Sequence, residues 1–414
     1  MIWAATVRML RGGTAPRWLE MRRVQRDRRV HVSCIESASS RRSLYIDVSV
    51  ISRHDAGTGI QRLVREVAGH LLATPPEGWC VIPVGATNKR SYSRIDWPRQ
   101  GHAGGREIDV RPGDIFLGLD FALDSICRHE RQLAAFKKQG GRLWFVMYDL
   151  LPVQRPEWFS DKLVVRYQKW LRVQASLADG FFCISPPVEQ DLRQELAQRY
   201  RIGDGIHTQV IPMGWDLAAV PRDAMPADGV SSVVQAMQQR PSALMVGTLE
   251  PRKGHLDVLA AFDVLWQRNA ELNLVIVGRP GWKTEELQAM LHRHPQCGKR
   301  LFWLDDATDA ALTALYDEST GVIMASHAEG YGLPLLEALG RNKPVLARDI
   351  PIFRMHESWG LEYFPQHAQS LELSKILAAW LSATDRQMIQ PHGNLPTWRD
   401  TARAIWAPLI GEGC

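Results

Sequence analysis

The 414-residue sequence predicts two doubly wound α/β domains in tandem. From residue 43 onward, short apolar segments alternate with longer amphipathic segments. This alternation is typical of βαβ units, which build a parallel sheet covered on both faces. It lapses over residues 218–240, which are rich in proline, small and polar residues, and then restarts. Because the length allows two domains of ordinary size, this lapse is interpreted as an interdomain linker.

The first domain is predicted to span residues 43–217. Its strand candidates are short, apolar and separated by helical segments, at residues 44–48, 81–84, 114–117, 143–146, 181–184 and 209–211. The clearest helical patterns cover residues 60–72 and 188–200. Residues 92–111 are rich in glycine, arginine and proline, and they are interpreted as a long loop.

The second domain is predicted to span residues 241–397. Its strand candidates lie at residues 243–246, 274–277, 301–304, 321–324 and 344–347. Residues 398–414 begin with an amphipathic pattern that predicts a helix. We interpret this last segment as a helix that crosses back to the first domain.

The composition is that of a soluble globular protein, with 45% hydrophobic and 23% charged residues. No apolar run approaches the roughly 20 residues that a transmembrane helix needs. The apolar start, residues 1–7, is too short for a secretory signal, so we expect a cytoplasmic protein. The six cysteines form no C-x-x-C pair, which indicates reduced thiols rather than a zinc site.

Residues 1–42 form a basic N-terminal extension with ten arginines and three acidic residues. Two interpretations stay open. The extension is a disordered leader, or the result of a start codon placed too early. Alternatively, Trp18, Met21 and Val24 mark a basic amphipathic helix that makes peripheral contact with anionic membrane lipids. Nucleic acid is not an expected partner, because no binding motif follows.

The segment 326–337 carries the strongest indication of function. It follows the apolar strand 321–324 and contains two glycines, so its backbone can approach a ligand closely. Pro334 is predicted at the first position of a helix, with Glu337 in the first turn. A helix N-terminus at the carboxyl end of a parallel strand favours phosphate. The carboxylates of Glu329 and Glu337 can accept hydrogen bonds from sugar hydroxyls, so together the segment points to a sugar nucleotide.

The segment 247–254, G-T-L-E-P-R-K-G, repeats this strand–loop–helix arrangement. Arg252 and Lys253 are expected at the carboxyl end of a strand and beside a helix N-terminus. Two cations there can hold a diphosphate and stabilise the charge that develops as a glycosidic bond breaks. The alternative is that both are solvated basic residues in a turn.

These two segments, together with V-G-R-P-G-W at 277–282, resemble the motifs of retaining glycosyltransferases of family 4. The two glutamates match the E-x7-E signature of that family. The resemblance continues in the first domain at residues 55–62 and 210–216, and it spans roughly residues 44–409. It implies the GT-B architecture, in which two Rossmann-like domains face each other across a cleft.

The resemblance also implies roles for individual residues. Glu329 would bind hydroxyls of the donor sugar, Glu337 would bind the ribose, and Arg252 and Lys253 would bind the diphosphate. The remaining donor-binding positions lie in the glycine-containing loops and are Gly57, Gly59, Gly247, Thr248, Gly330, Gly332 and Leu333. The alternatives are a solvated loop carboxylate for Glu329 and a charge favoured by the helix dipole for Glu337. His327 is interpreted either as a rim or core histidine or as a ligand contact.

Asp149 is a further candidate because it follows the strand 143–146. Many members of the family have histidine where this chain has Tyr148. By resemblance, Asp149 would contact an acceptor hydroxyl or the sugar; the alternative is that it caps its own loop. The chain departs from some relatives at Thr248, where they have arginine, and at Met355, where they have glutamate.

The expected activity is transfer of a sugar from a nucleoside diphosphate donor to a hydroxyl of a glycan or lipid-linked acceptor, with retention of configuration. GDP-mannose is the first donor to consider, and polysaccharide or lipopolysaccharide biosynthesis is the expected process. No metal or other cofactor is expected, since Asp305 and Asp306 are interpreted as the start of a loop. Two alternatives stay open: a nucleotide-sugar epimerase of GT-B fold, and a non-catalytic nucleotide-sugar-binding subunit of a polysaccharide assembly complex.

Overall fold

The computed structural model describes residues 14–28, 41–99, 105, 107–203, 205–216, 228–383 and 395–411. These residues form two compact units. Unit 1 contains the chain up to Met213 and the residues from Trp398 onward, and unit 2 contains Gly214–Thr397. The predicted boundary between residues 217 and 218 lies outside the described residues.

Unit 1 is built on a seven-stranded sheet in the order β3-β2-β1-β4-β5-β6-β7. Its strands are β1 Arg42–Asp47, β2 Trp79–Gly85, β3 Ser93–Arg94, β4 Ile115–Gly118, β5 Arg142–Met147, β6 Gly180–Cys183 and β7 His207–Val210. Its helices are α1 Thr14–Arg28, α2 Gly59–Ala73, α3 Leu123–Arg128, α4 Glu130–Lys138, α5 Leu151–Gln154, α6 Asp161–Leu177, α7 Pro186–Tyr200 and, at the end of the chain, α15 Trp398–Gly411. A short 3-10 helix spans Pro156–Trp158. All strand pairs except β2–β3 are parallel.

The strands of unit 1 are apolar because the sheet is covered on both faces. Every residue of β4 and of β6 is buried. Local sequence sets where helices begin: Thr58 forms a capping box at α2, and Ser160 and Ser185 cap α6 and α7 with their hydroxyl oxygens.

Helix α1, Thr14–Arg28, agrees with the helical interpretation of this stretch and not with a disordered leader. It packs against α6 and α7, and the side chain of Val24 is fully buried. The Arg28 guanidinium donates hydrogen bonds to the carbonyls of Ala175, Ala178 and Gly205. This stretch is therefore part of unit 1, held by a long-range contact that local composition does not reveal. The rest of the predicted extension, residues 1–13 and 29–40, lies outside the described residues.

The predicted loop 92–111 contains a strand that the sequence did not indicate. Residues of β3 pair antiparallel with Val84 and Gly85 of β2. Beside it, the side chain of Tyr92 is buried, and its hydroxyl donates a 2.8 Å hydrogen bond to Asp47. A two-residue strand has no periodicity of its own, so only its partner defines it.

Unit 2 is built on a six-stranded parallel sheet in the order β10-β9-β8-β11-β12-β13. Its strands are β8 Ser242–Val246, β9 Asn273–Val277, β10 Leu301–Leu304, β11 Gly321–Met324, β12 Val345–Arg348 and β13 Glu362–Phe364. Its helices are α8 Asp228–Gln239, α9 His255–Gln267, α10 Glu285–Arg293, α11 Asp309–Glu318, α12 Leu333–Leu339, α13 Pro351–Arg354 and α14 Ser370–Ser382. Short 3-10 helices span Pro251–Lys253 and Glu357–Trp359.

Helix α8 lies within residues 218–240, which were predicted to be linker. Its Val230, Val233 and Met237 are buried at helical spacing, and the helix packs against α11. Because of this packing, the described part of the predicted linker belongs to unit 2. The helix was not predicted because polar residues lie between the apolar ones in the sequence.

Helix α15 belongs to unit 1, although it follows unit 2 in the chain. The hydroxyl of Thr401 donates a 2.8 Å hydrogen bond to the Pro212 carbonyl, and Trp406 packs edge-on against Trp79. Among the helices of the described ranges, none is long and apolar enough for a membrane crossing.

Candidate functional site

Two segments singled out from the sequence lie side by side in unit 2. The loop 247–254 follows β8, and the segment beginning at Ser326 follows the neighbouring strand β11. Gly254 has φ +70°, and a Cβ atom at this position would lie 2.2 Å from the Ala325 carbonyl oxygen. The two loops can therefore meet only because residue 254 has no side chain. The His327 N–H also donates a 2.7 Å hydrogen bond to the Arg252 carbonyl.

The loop at 277–282 joins the same edge of the sheet. Gly278 lies so close to the first loop that a Cβ atom would approach the Gly247 carbonyl oxygen to 2.0 Å. The Leu249 N–H donates a 2.9 Å hydrogen bond to the Arg279 carbonyl. Three motif-bearing loops therefore meet at the carboxyl ends of β8, β9 and β11, where open α/β sheets bind ligands.

Glu329 forms the centre of an ion-pair cluster at this edge. Its Oε2 accepts a 2.7 Å hydrogen bond from Arg252 Nη1, and its Oε1 accepts a 2.5 Å hydrogen bond from Lys253 Nζ. The Ser326 hydroxyl donates a third hydrogen bond, of 2.7 Å, to Oε1. Only 6% of the Glu329 side chain is exposed, so it is not the solvated loop carboxylate of the alternative interpretation.

The cluster holds Glu329 in its ionised form. Burial alone would raise the pKa of this carboxyl, but Arg252 and then Lys253 outweigh it and lower the pKa to about 2. The side chain is therefore a carboxylate across the physiological pH range. It can accept hydrogen bonds and balance positive charge, but it has no proton to donate.

Arg252 is held from several sides. Its Nη1 also donates a 3.0 Å hydrogen bond to the Ala328 carbonyl. Its Nε forms an ion pair with Glu250, at 2.7 Å from Oε2. Two cations thus face two carboxylates in a nearly buried cluster, which fixes the guanidinium fork of Arg252 in one orientation.

A second network stiffens the base of the β11 loop. Arg348 is buried, and it donates hydrogen bonds to the carbonyls of Ala325 and Gln366 and to Asp257 Oδ2. His327 Nε2 lies 3.1 Å from Asp257 Oδ2. Hydrogen bonding from His327, reinforced by the charge of Arg348, lowers the pKa of Asp257. His327 is therefore a rim residue oriented by Asp257.

Glu337 lies on α12, but not where the sequence placed it. The helix begins at Leu333, so Pro334 is its second residue and not its first, and the first turn contains no acidic residue. Glu337 lies one turn deeper and is only 3% exposed. Its Oε2 accepts a 2.8 Å hydrogen bond from the Tyr316 hydroxyl. Glu337 therefore does not act as a charge that stabilises the first turn of the helix, which was the alternative interpretation.

Glycine is common just after a helix because it adopts the left-handed conformation easily, but Gly340, which ends α12, does not have that conformation. Its φ is −62°, which any residue can adopt. A Cβ atom there would lie 2.0 Å from the Trp215 ring, so the glycine is required by side-chain packing within unit 2.

The remaining predicted donor-binding residues of unit 2 lie in the same loops. Gly330 and Gly332 are buried, Thr248 and Leu333 are partly buried, and Gly247 lies next to the Lys253 side chain. Gly332 has φ +98° and immediately precedes α12, a conformation that favours glycine.

The predicted residues of unit 1 lie on separate loops. Gly57 has φ +67°, and its N–H donates a 2.9 Å hydrogen bond to Asp55. Gly57 and Gly59 are exposed at the start of the 15-residue helix α2. Asp149 accepts a 3.0 Å hydrogen bond from the Leu151 N–H, so the loop-capping interaction is present. Tyr148 is buried, and its hydroxyl donates to the Leu119 carbonyl.

Three residues of this site escaped the sequence analysis. Ser326 had a local signal, because Ser and Glu three residues apart often hydrogen-bond. Arg348 is a charged residue at the end of an apolar strand, which also marks a site edge. Tyr316 had no local signal, since it lies on a different helix from Glu337.

The sequence is similar to those of known glycosyltransferases. Residues 232–358 match the family of glycosyl transferases group 1. Over 375 residues, the chain is 34% identical to the serotype-specific mannosyltransferase WbdA of Escherichia coli, a match that covers 88% of this chain and 44% of WbdA. The chain thus spans less than half the length of the WbdA relatives it matches.

Two solved structures share the fold. One is HepE of Anabaena in complex with UDP and glucose, with a TM-score of 0.56 and 16% identity. The other is sucrose-phosphate synthase of Thermosynechococcus elongatus, with a TM-score of 0.57 and 17% identity. Each match covers 89% of this chain and 96% of the solved chain. With its two Rossmann-like units, the chain has the GT-B fold of these solved structures, and residues 232–358 within unit 2 match the family of glycosyl transferases group 1.

Proposed function

We propose that the chain is a retaining mannosyltransferase that uses a nucleoside diphosphate mannose, GDP-mannose first, as donor. The observation that carries the proposal is the cluster of Arg252, Lys253 and Glu329 inside the matched family segment. The similarity to WbdA, a mannosyltransferase, supports mannose as the sugar. The complexes of HepE with UDP and with UDP-glucose support a nucleotide sugar as the donor class.

The two cations would bind the donor diphosphate. Arg252 presents a rigid guanidinium fork that suits two phosphate oxygens, and Lys253 adds a compact charge. Glu329 holds both side chains at the carboxyl edge of the sheet. The two cations are therefore already in position before the donor reacts. Because they need not reorganise during the reaction, they can stabilise the charge that develops on the leaving diphosphate.

The proposed reaction balances without a proton from Glu329. The bond between the anomeric carbon and the diphosphate oxygen breaks, and its electron pair leaves with the diphosphate. The acceptor oxygen forms the new bond on the same face of the sugar, and its proton passes to a diphosphate oxygen. Because Glu329 is ionised, it would accept hydrogen bonds from donor-sugar hydroxyls. Glu337 would do the same for the ribose.

The residues of unit 1 complete the proposal. Gly57 and Gly59, which are exposed at the start of α2, would let the donor phosphate approach the backbone, and Asp149 would contact the acceptor or the sugar. The acceptor is a hydroxyl of a glycan or of a lipid-linked glycan in polysaccharide assembly. No divalent metal is proposed, since Arg252 and Lys253 supply the positive charge; activity that EDTA abolishes and Mg²⁺ restores would contradict this part.

The experiment uses the full chain. Thermal shifts are first measured with a panel of nucleotide sugars, because a ligand that binds the folded state raises the apparent stability. The best donor is then incubated with mannose-containing acceptors, the product is identified by mass spectrometry, and its anomeric configuration is read by NMR. We expect GDP-mannose to bind best and the product to keep the donor configuration. Donor consumption without a glycosylated product, or binding without turnover, would contradict the proposal.

A further inference from the structure

Helix α1 exposes an apolar pair beside arginines. Trp18 is 46% exposed and Leu19 is 61% exposed, and these are neighbouring residues on the outward side of the helix. The Arg22 guanidinium lies 3.7 Å from the centre of the Trp18 ring, and the Arg26 side chain is largely exposed. The opposite side of α1 is fixed to unit 1 through Val24. The outward side is therefore held in a constant orientation.

A cationic cavity lies next to this side of α1. It has a volume of about 490 Å³, and its walls come from α1, α3, α4 and the end of α6. Leu19, Arg22 and Arg26 line an adjoining groove that shares Arg23 with the cavity. Leu19 of the apolar pair thus lines a groove that adjoins the cavity, and Trp18 directly precedes it on the helix.

The acidic groups of the cavity are already paired. Glu130 accepts hydrogen bonds from the buried guanidinium of Arg172 and contacts Arg23 at 3.2 Å. Asp27 lies 3.2 Å from Arg26, and Lys137 is paired with Asp179 at 2.7 Å. These pairs leave the acidic residues unable to neutralise the other cations of the wall.

Three cations of the cavity have no acidic partner within ion-pair distance among the described residues. They are Arg128, Arg131 and Lys138, and all three are exposed. Arg131 and Lys138 lie on one side of α4, with the small Ala134 between them. The wall therefore presents a positive surface with room for an anionic group.

The cavity extends toward the edge of the unit 1 sheet opposite to the predicted site loops. Lys137 reaches Asp179, which directly precedes β6. Gly57 and Asp149, by contrast, follow the carboxyl ends of β1 and β5. The cationic surface is thus separate from the loops assigned to donor and acceptor.

We propose that this surface docks the protein on a membrane that contains anionic lipids. Headgroup phosphates enter the cavity and pair with Arg128, Arg131 and Lys138, while Trp18 and Leu19 insert at the lipid–water interface. The apolar pair favours a membrane over nucleic acid as the partner. Phosphates alone can pair with the arginines, but only a lipid surface can also bury the exposed Trp18 and Leu19 side chains. The proposal does not depend on the proposed transferase activity.

The test is co-sedimentation of the full chain with vesicles. Vesicles of phosphatidylcholine alone are compared with vesicles that also contain phosphatidylglycerol. We expect binding only to the anionic vesicles, and release at high salt because the attraction is electrostatic. The triple variant Arg128→Gln, Arg131→Gln, Lys138→Gln should reduce the partition coefficient about a hundredfold, since each basic residue contributes about a fivefold change. The variant Trp18→Ala, Leu19→Ala should also weaken binding.

A matched control removes the same charge elsewhere. Arg268, Lys299 and Lys375 are exposed residues of unit 2, and their replacement by glutamine should leave vesicle binding within about twofold of the wild type. Equal loss in both triple variants would indicate a mere effect of net charge and would overturn the proposal. So would equal binding to neutral vesicles, or binding of inorganic phosphate or an oligonucleotide without binding of anionic vesicles. Sugar transfer in solution serves as the folding check and has no bearing on the outcome.

Discussion

The Tyr316 hydroxyl donates a 2.8 Å hydrogen bond to Glu337 Oε2, and both side chains are buried in unit 2. The two residues lie on different helices, α11 and α12, so the bond forms only in the folded unit. It holds one carboxylate oxygen in a defined direction. Tyr316 is thus a positioning residue for the carboxylate that we assign to the donor ribose.

Replacing Tyr316 by phenylalanine tests this role. The variant keeps the ring but removes the hydroxyl, so Glu337 Oε2 loses the hydrogen bond that it accepts from residue 316. We expect the donor KM to rise about tenfold, with kcat changed less than about twofold. The control is Tyr363→Phe, which removes a hydroxyl that bonds the Phe353 carbonyl in the same unit. An unchanged KM in the Tyr316 variant would rule out the positioning role.

Lys253→Ala should weaken the binding of the nucleoside diphosphate. Loss of one charged contact to a phosphate raises the Kd by about tenfold or more. Isothermal titration with GDP measures this directly, and Lys375→Ala, at an exposed helix position, is the control. Binding of GDP with wild-type affinity by the Lys253 variant would show that the diphosphate lies elsewhere.

Glu329→Gln should separate turnover from binding. The amide keeps the volume of the side chain but cannot balance the charges of Arg252 and Lys253, so we expect kcat to fall about a hundredfold. GDP should bind at least as tightly as to the wild type, because both cations lose their competing carboxylate. Glu372→Gln, at an exposed position of α14, is the control. Near-normal transfer by a folded Glu329 variant would contradict the proposed function.

The depressed pKa of Glu329 predicts a loss of unit 2 stability in acid. A carboxyl with a folded pKa of about 2 and an unfolded value of 4.5 contributes its full stabilisation above about pH 4.5. That contribution, on the order of 3 kcal/mol, is lost as the pH falls through 4.5 toward 2. Hydrogen exchange of β11 amides across this range measures it. In Glu329→Gln the slope should flatten; an unchanged slope would assign the acid sensitivity to other groups.

The raised pKa of Asp47 predicts that the stability of unit 1 depends on pH in the opposite direction. Burial, with a smaller effect of Asp120, raises the pKa of this carboxyl from 3.8 to about 7. The folded state therefore keeps a proton that the unfolded state has lost, and stability falls as the pH rises from about 4 to about 7. Hydrogen exchange of β1 amides should show this decline, and Asp47→Asn should remove it. A decline of equal size in the variant would exclude Asp47 as its source.

The predicted fold class is confirmed, and the reason lies in local patterns. Strands buried on both faces need nearly continuous apolar runs, and such runs stand out between amphipathic helices. The three loops of the site also follow from short segments, since Gly254, Gly278 and Gly332 occupy positions where a side chain would clash or be strained. The pairing of Arg252 and Lys253 with Glu329 follows once β8 and β11 are neighbours.

Elements whose hydrophobic pattern is short or interrupted by polar residues were not predicted correctly from the sequence. The two residues of β3 exist as a strand only through β2, and α8 shows its apolar stripe only where it packs. For residues 14–28 the sequence allowed either a disordered leader or a helix, and the contacts of Val24 and Arg28 with unit 1 decide for the helix. In each case the stabilising contact joins residues far apart in the chain.

The amino-acid sequence alone determined the alternation of strands and helices, the position of the motif loops and the charged residues in those loops. These are properties of neighbouring residues, and short-range sterics and periodicity express them directly. Only the tertiary structure decided that Glu329 is ionised and that Glu337 is bound by Tyr316. It also decided that Arg128, Arg131 and Lys138 have no acidic partner within ion-pair distance among the described residues. Charge and hydrogen bonding at these positions depend on burial and distance, which no local stretch of sequence contains.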